Sequence, residues 1–339
     1  MRAEERDMTG TERRAAAEKR PYVGVILAAG AGSRMAPFSD RYPKPILPVC
    51  NKPLIQYQIE LMRSIGIDEI VVLIGHRGFE ITKVLGDGRQ LGVRLRYVEQ
   101  KKMLGIAHAV GCLERMIDRP FLLFLGDIFF EARDLSPMFE LFREQGGGAV
   151  LATKEENDPE AIRRNFSIAL DERGYVKRVV EKPRYAKNKL KGVGLYLFDL
   201  TMFDAIRRTP RSAMRDEYEI TDAIQVLIDD GEPVRPAAVI DDDVNVTSPS
   251  DVLAVNLRHL AAMGRSSLIG EDCRIHPGAK IENSIVGSYV TIDEPIEIRS
   301  SVIFSESEVK TRHAIDHAVV TPIATVRCDP PMPGDEANG

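Results

Sequence analysis

A period of six residues near the C-terminal end constrains the fold of this chain more than any other feature. Between residues 269 and 309 an apolar residue recurs at almost every sixth position, with two intervals of five. This period is typical of a β-helix, in which each repeat forms one side of a coil. An irregular tail with chance isoleucines is the alternative. Two or three short coils bury little surface alone, so we expect them to dock on another domain or another subunit. The apolar positions are Ile269, Ile275, Ile281, Val286, Ile292, Ile298, Ile303 and Val309.

Residues 23–49 indicate a phosphate-binding site. The apolar run at 23–27 predicts a short buried strand, and it stops at a loop that holds Gly30 and Gly32. Loops after such strands face a ligand at the carboxyl edge of an α/β sheet. Glycines there let backbone N–H groups approach phosphate oxygens, while Arg34 and Lys44 can neutralise the charge of a triphosphate.

Two familiar phosphate loops do not match this segment. A Walker loop needs a lysine directly after its last glycine, and none follows Gly32. A dinucleotide fingerprint needs a third glycine where Met35 stands, which argues against a dehydrogenase. A basic turn without a ligand is the remaining alternative. The bracketing of Lys44 by Pro43 and Pro45 argues against that alternative.

With these residues in place, the segment resembles the N-terminal motif of the sugar-nucleotidyltransferase family. That family includes glucose-1-phosphate thymidylyltransferases and N-acetylglucosamine-1-phosphate uridylyltransferases. The similarity covers roughly residues 22–263, and the six-residue repeats after it resemble the left-handed β-helix of the hexapeptide family. The resemblance implies an α/β fold, with a Rossmann-like, mostly parallel sheet followed by a short left-handed β-helix. It also implies nucleotide contacts at Leu27, Ala28, Ala29, Gly30, Gly32 and Ser33.

The pattern of the chain agrees with that fold. Strand-like and helix-like stretches alternate to about residue 130, which predicts a mostly parallel sheet covered on both faces. Helices are expected at 52–65, 79–85, 106–116, 219–228 and 249–263, and strands at 70–74, 93–98 and 121–125. Further strands at 166–170, 176–180 and 193–198 are expected to form a wall over the sheet edge, beside a second substrate. We expect a disordered extension (1–20), a nucleotidyltransferase domain (21–264), a β-helix (265–327) and a disordered tail (328–339).

Composition narrows the possible partners. The 46 basic and 51 acidic side chains are near balance, which leaves no electrostatic footprint for nucleic acid. The four cysteines form no C-x-x-C pair, so neither a zinc site nor a disulfide framework is indicated. No apolar stretch reaches the length that spans a membrane, and the charged first twenty residues lack the apolar core of a signal peptide. We therefore expect a cytoplasmic homo-oligomer, assembled through or beside the β-helix.

Two residues are expected to hold Mg²⁺. A bound triphosphate requires a divalent cation, and Mg²⁺ is usually held by one or two carboxylates together with phosphate oxygens. The family's Gly-Asp pair matches Gly126 and Asp127, directly after a predicted strand. The family's second ligand corresponds to Asn245, whose amide oxygen can still bind the ion but brings no charge. Asparagine is found there in uridylyltransferase relatives, so this departure leaves dTTP and UTP both open.

The resemblance places the sugar phosphate at a Glu-Lys-Pro motif. Glu181 is expected to accept hydrogen bonds from sugar hydroxyls, and Lys182 to bind the 1-phosphate. Gly194 and Tyr196 match the family's wall over the sugar, and Arg215 matches an arginine that contacts phosphate.

One residue near that motif departs from the family pattern, and two acidic residues have a structural interpretation. Ser167 is interpreted as the residue that takes the place of a small glycine in the wall, which leaves the identity of the sugar open. Glu217 and Asp222 are interpreted as caps of the helix that begins near residue 219.

A glutamine is expected to read the base. Its side chain offers a donor and an acceptor, which match the edge shared by uracil and thymine. By resemblance Gln100 and the backbone near Ala28 and Gly105 hold the pyrimidine. His108 is interpreted as a helix residue on a buried face.

The reaction implied by these residues needs no protein nucleophile. An oxygen of the sugar 1-phosphate attacks the α-phosphorus in line and expels pyrophosphate, so catalysis consists of positioning and charge neutralisation. Arg34 is expected on the β- and γ-phosphates, Lys44 on the α-phosphate and Lys182 on the attacking phosphate. Glucose 1-phosphate with dTTP or UTP is the favoured pair.

Three alternatives remain open from sequence. They are a UTP:N-acetylglucosamine-1-phosphate uridylyltransferase, a non-catalytic regulatory paralogue, and a bifunctional enzyme with acyltransfer on the coils. Acyltransfer usually needs a longer helix and a basic histidine. His276, His313 and His317 are interpreted as surface residues.

Overall fold

The structure, a computed structural model, describes residues 21–30, 32–75, 77–132, 134–185, 188–213 and 215–328. The expected extension at 1–20 and the tail from 329 onwards lie outside the described residues. The helices are α1 (Leu54–Ser64), α2 (Gly78–Leu85), α3 (Ile106–Gly111), α4 (Ser136–Gln145), α5 (Pro159–Arg164), α6 (Thr201–Arg208), α7 (Ile220–Asp229) and α8 (Pro249–Ala262). No helix of the described residues combines the length and the apolarity needed to cross a bilayer.

The strands up to residue 245 are β1 (Val23–Ala28), β2 (Pro48–Val49), β3 (Lys52–Pro53), β4 (Glu69–Ile74), β5 (Arg94–Glu99), β6 (Phe121–Leu125), β7 (Ile128–Glu131), β8 (Ala149–Glu155), β9 (Phe166–Leu170), β10 (Val176–Glu181), β11 (Leu190–Phe198), β12 (Val234–Ala237) and β13 (Asp242–Asn245). β7 and β13 form a separate antiparallel pair, and β2 and β3 form another.

The central sheet has the strand order β10-β9-β11-β6-β1-β4-β5. In addition, β8 pairs with β11, and β12 pairs with β8. β6, β1, β4 and β5 are mutually parallel, which confirms the mostly parallel sheet and brings the ends of these strands to one edge. The three later strands were expected to form a wall over that edge. Instead they extend the sheet itself, because β11 pairs antiparallel with β6 and then carries β9 and β10.

The sheet is buried on both faces, as β1 shows. Val23 and Val25 lie in a core with α3, α6 and α7, whereas Ile26 and Ala28 lie in a core with α1, α2 and α4. A strand covered on both faces has no polar side, which is why residues 23–27 read as an unbroken apolar run. α3 ends at Gly111, earlier than the predicted residue 116, since glycine weakens a helix interior.

The last part of the described chain is a three-sided β-helix. Its strands are β14 (Ser267–Ile269), β15 (Arg274–Ile275), β16 (Lys280–Glu282), β17 (Ser284–Val286), β18 (Thr291–Ile292), β19 (Glu297–Arg299), β20 (Val302–Ile303), β21 (Glu308–Val309), β22 (Ile315–Asp316), β23 (Ala318–Val320) and β24 (Thr325–Arg327). They form three sheets, β14-β17-β20-β23-β24, β15-β18-β21 and β16-β19-β22. β24 runs antiparallel to β23 at the end, and the other pairs are parallel.

The two five-residue intervals of the sequence period have a structural reason. Ser267 pairs with Ser284, so one coil takes 17 residues, or two sides of six and one of five. The short side is closed at a corner where Asn283, Ser300 and His317 all adopt positive φ. Of these three residues, asparagine adopts this left-handed conformation with the least strain. The predicted β-helix is therefore confirmed, and Ile292, Ile298 and Ile303 fill its interior.

The β-helix packs on the rest of the chain. Phe304 meets the ring of Tyr42 at 5.2 Å between centroids and the ring of Phe38 at 6.1 Å, and Arg41 lies 3.6 Å from the Glu306 carboxylate. These contacts belong to a core shared by α8, the coils and the loop that follows the glycines. The expected docking on the catalytic domain is present.

Candidate active site

The glycine loop lies where β1 and β6 end side by side. The backbone N–H of Gly126 donates to the carbonyl of Leu27 at 2.9 Å, and a Cβ on residue 126 would lie 2.7 Å from that oxygen. The two backbones approach this closely only because residue 126 has no side chain. The contact brings Asp127, the next residue, to the same edge as the loop.

Lys44 lies beneath the glycine loop and reaches Asp127. Gly32 has a φ of 65°, and a Cβ there would lie 3.3 Å from Cγ of Lys44. Lys44 is only 9% exposed, and its Nζ donates to Oδ2 of Asp127 at 3.0 Å. A lysine this buried is normally paired. The structure therefore places the residue expected at the α-phosphate within hydrogen-bonding distance of the residue expected at the metal.

A cavity of about 440 Å³, here called the first chamber, opens between the glycine loop and the loop after β5. Its size is within the usual range for small-molecule sites. The side chain of Ser33 lies outside the described residues. The chamber is lined by the other predicted nucleotide residues: Leu27, Ala28, Ala29, Gly30, Gly32, Gln100 and Gly105, together with Lys44 and Asp127.

Gln100 is held by a residue that the sequence interpretation left outside the site. Its Nε2 lies 3.0 Å from Nδ1 of His108, and its side chain is buried. Burial, aided by the positive charge of Lys102, holds the pKa of His108 below its usual value. A neutral ring can accept the hydrogen bond at Nδ1, which leaves the amide oxygen of Gln100 available as an acceptor. His108 does lie in a helix, α3, as expected.

The segment before α7 closes over the first chamber. Gly105 has a φ of 107°, and a Cβ there would lie 2.5 Å from the carbonyl oxygen of Tyr218. The same carbonyl accepts from the N–H of Ala107 at 2.9 Å. Glu217 was interpreted as a helix cap, but α7 has no side-chain cap at its start, and Glu217 lines the chamber. Local spacing could not show this, because the contact depends on how two distant loops pair.

A second chamber of about 650 Å³ adjoins the first and shares Ile106, Leu125 and Asp127 with it. The two cavities therefore meet at the carboxylate of Asp127. Arg34, expected at the leaving phosphates, is exposed and lines this second chamber. Other predicted residues that line it are Glu181, Lys182, Gly194, Tyr196 and Asn245.

β10 ends at Glu181, and Lys182 directly after it adopts a strained conformation. Lys182 has a φ of 40°, unusual for a residue with a side chain, and its N–H donates to the carbonyl of Asn165 at 2.8 Å. Burial, reinforced by the carboxylate of Glu219, raises the pKa of Glu181. Arg215, expected at phosphate, lies 3.4 Å from Glu181 and 3.3 Å from Glu219. This arginine therefore pairs with the carboxylate of Glu181, which lines the second chamber.

Tyr196, which was predicted to lie over the sugar, belongs to an aromatic stack. Tyr196 is 1% exposed and lies between Phe166 and Phe198, with centroids 6.1 and 5.4 Å away. Gly194 has a φ of 76°, and a Cβ there would lie 2.7 Å from Cδ1 of Ile128. Phe166 lines the chamber, one residue before Ser167, which the sequence interpretation placed in the wall. The place of Ser167 in the wall stays a prediction.

The side-chain oxygen atoms of Asp127 and Asn245 fit a hard divalent cation. β13 ends beside Asp127, since the N–H of Val246 donates to the Asp127 carbonyl at 2.9 Å. The Nδ2 of Asn245 donates to Oδ1 of Asn165 at 3.0 Å, so the amide oxygen of Asn245 is the atom left for a ligand. Within the described residues no group of three or more His, Cys, Asp or Glu forms a metal cluster. A site of one carboxylate and one amide suits Mg²⁺, which retains waters and substrate oxygens.

The structure adds a buried ion pair that the sequence analysis did not find. The Nζ of Lys191 lies 2.7 Å from Oδ1 of Asp243 and 3.6 Å from Oε2 of Glu156, and all three residues line the second chamber. Burial raises the pKa of Asp243. Asp243 lies two residues before Asn245 on β13, so alternation along the strand puts both on one face. This two-residue spacing is the feature of the sequence that could have indicated Asp243 as a site residue.

Comparisons with known proteins show which families this chain resembles. The family model described as nucleotidyl transferase matches residues 23–244, and the model described as GlmU-like, C-terminal hexapeptide matches residues 249–329. A low-salt glycan biosynthesis nucleotidyltransferase of Haloferax volcanii is 32% identical over 85% of this chain and 89% of its own length. A glucose-1-phosphate thymidylyltransferase of Streptomyces griseus is 32% identical over 82% of this chain and 80% of its own. The solved structure of a UDP-glucose pyrophosphorylase with UDP-glucose shares the fold, at a TM-score of 0.63 and 24% identity, over 72% of this chain and all of that one.

Proposed function

Because this chain belongs to the nucleotidyl transferase family, we propose that it joins a pyrimidine nucleoside triphosphate, dTTP or UTP, to a sugar 1-phosphate, with glucose 1-phosphate the favoured sugar. The products are an NDP-sugar and pyrophosphate. Its relatives are sugar-1-phosphate nucleotidyltransferases, which sets the reaction class. The observation that carries the proposal is the meeting of the two chambers at Asp127.

In the proposed reaction one P–O bond forms and another breaks. An anionic oxygen of the sugar 1-phosphate attacks the α-phosphorus, and the bond to the β-phosphate breaks, with its electron pair leaving on pyrophosphate. No proton has to be moved, so the protein contributes orientation and positive charge. The nucleotide occupies the first chamber and the sugar phosphate the second, which places the reacting atoms near Asp127.

Three cations of this chain neutralise phosphate in the proposal. Lys44 binds the α-phosphate from beneath the glycine loop, which its burial and its contact with Asp127 support. Lys182 binds the sugar 1-phosphate. The positive φ of Lys182, a strained conformation for a residue with a side chain, supports this role. Arg34, which lines the second chamber, neutralises the charge of the β- and γ-phosphates.

The family generally depends on a divalent metal, and we propose Mg²⁺ for this chain. Asp127 and the amide oxygen of Asn245 would hold it. When bound, the ion supplies positive charge to the phosphate oxygens. Asn165 fixes the amide of Asn245, so that its oxygen rather than its nitrogen is presented.

Gln100 is proposed to read the base, and its replacement tests this role. Gln100→Leu removes the buried amide while keeping a similar size, and we expect kcat/KM for the nucleotide to fall about 10- to 100-fold, the usual cost of an unpaired polar group. The kcat at saturating nucleotide should change less. Steady-state kinetics with dTTP and UTP measure both. Gln56→Leu, on α1 and paired with Glu60, is the matched control. Equal kcat/KM for Gln100→Leu and wild type would remove Gln100 from the site.

A substrate panel tests the function as a whole. Pyrophosphate release should be measured for dTTP, UTP, ATP, CTP and GTP, each with glucose 1-phosphate and with N-acetylglucosamine 1-phosphate. We expect release with the two uracil- or thymine-bearing nucleotides and glucose 1-phosphate, at least about tenfold above the other pairs. Release with UTP and N-acetylglucosamine 1-phosphate alone would favour the uridylyltransferase alternative. Nucleotide binding without release for any pair would favour a regulatory paralogue.

A further inference from the structure

The buried ion pair in the second chamber has no part in the phosphate chemistry. The side chains of Lys191 and Asp243 are 4% and 1% exposed, yet both border a cavity. Removing two charges from water is costly, and apolar residues of similar volume are often as stable or more stable at such positions. A buried pair that borders a substrate cavity therefore suggests a role in recognition.

The pair has a distinct chemical character. Lys191 offers a third N–H beyond those directed at Asp243 and Glu156. Asp243 is acceptor-only when ionised. A ligand group that binds both side chains must accept a hydrogen bond from the Lys191 ammonium and donate one to the Asp243 carboxylate. A sugar hydroxyl does this, whereas an ammonium group only donates and a methyl or methylene does neither.

The position of the pair also fits a sugar ring. Lys191 lies on β11 and Glu181 ends β10, and β9 separates these two strands. Strands two places apart are about 10 Å apart. A hexose 1-phosphate held by Lys182 at its phosphate can thus extend its ring towards β11.

We propose that the Lys191–Asp243 ion pair reads one hydroxyl of the sugar, so that the enzyme selects hexose 1-phosphates that carry this hydroxyl and rejects the analogue that is deoxy at that carbon. This inference rests on the proposed function and deepens it, since it names the substrate feature that the second chamber recognises. Lys191 and Asp243 are specificity-determining residues in this assignment, and Glu156 keeps the ammonium oriented.

The experiment combines changes in the sugar with changes in the pair. Glucose 1-phosphate and its 2-, 3-, 4- and 6-deoxy analogues are each assayed for pyrophosphate release. For the wild-type enzyme we expect one deoxy analogue to lose about 10- to 100-fold in kcat/KM, because the third N–H of Lys191 and a lone pair of Asp243 then face the ligand without a hydrogen-bond partner. In the double variant Lys191→Met with Asp243→Leu, which removes both charges of the pair, that penalty should shrink to less than about threefold.

A control and a stability measurement separate recognition from structure. Lys154 on β8 lies opposite Lys191 and pairs with Asp242. The variant Lys154→Met should keep the wild-type order of kcat/KM values for the deoxy analogues. Thermal melting of each variant reports folding. A double variant that keeps the full penalty would show that the pair only ties β11 to β13, and wild-type enzyme indifferent to every deoxy change would also overturn the inference. Neither result touches the proposed function, which the panel of nucleotides and sugar 1-phosphates tests separately.

Discussion

Asp127→Ala is expected to lower kcat by about three orders of magnitude or more. The side chain is the one carboxylate that borders both chambers within the described residues, and the metal it would hold contributes several kcal/mol of charge stabilisation. Pyrophosphate release at saturating substrates measures the loss. Binding of Mn²⁺ in the presence of nucleotide should weaken in parallel, which gives a second readout apart from turnover.

A surface carboxylate provides the control for that result. Asp204 on α6 pairs with Arg207 and Arg208, and Asp204→Ala should leave turnover within about twofold, as expected of an exposed ion pair. Turnover of Asp127→Ala within tenfold of wild type would contradict the metal role. So would unchanged Mn²⁺ binding.

Lys44→Met is expected to lower kcat/KM for the nucleotide about 100- to 1,000-fold. The ammonium is buried beneath the glycine loop, and charge placed in a site of low dielectric stabilises a transition state strongly. Steady-state kinetics of pyrophosphate release measure the effect. Methionine keeps most of the volume, so the melting temperature should not fall, which separates lost chemistry from lost folding.

Lys52→Met is the matched control for Lys44. Lys52 also pairs with a carboxylate, Glu60 at 2.6 Å, but it borders neither chamber. Its loss should change kcat/KM by less than about threefold. If Lys44→Met were equally mild, the lysine would serve the fold rather than the phosphate.

Features that depend on local pattern were predictable from sequence. The buried strand before Gly30 follows from an unbroken apolar run, the parallel sheet from alternating strand-like and helix-like stretches, and the coils from a period of six residues, and the structure confirms all three. Tyr196 and Gln100 could be nominated because they lie next to recognisable motifs. Both border the chambers.

Features that depend on pairing between distant segments were not predictable. β13 lies beside β7, more than a hundred residues earlier in the chain, and only this pairing brings Asp243 and Asn245 to Asp127. Asn165 joins Asn245 and Lys182 through two hydrogen bonds that no local spacing suggests.

The contact between Phe304 and the loop after the glycines limits how short the coiled part can be. The first three coils begin at Ser267, Ser284 and Ser301, so Phe304 lies in the third. Each coil adds one strand spacing, and Phe304 is therefore about 10 Å along the helix axis from the first coil. A two-coil version would end before reaching Phe38 and Tyr42. The number of repeats thus has a lower limit set by the geometry of the catalytic domain, whether or not the coils carry any chemistry of their own.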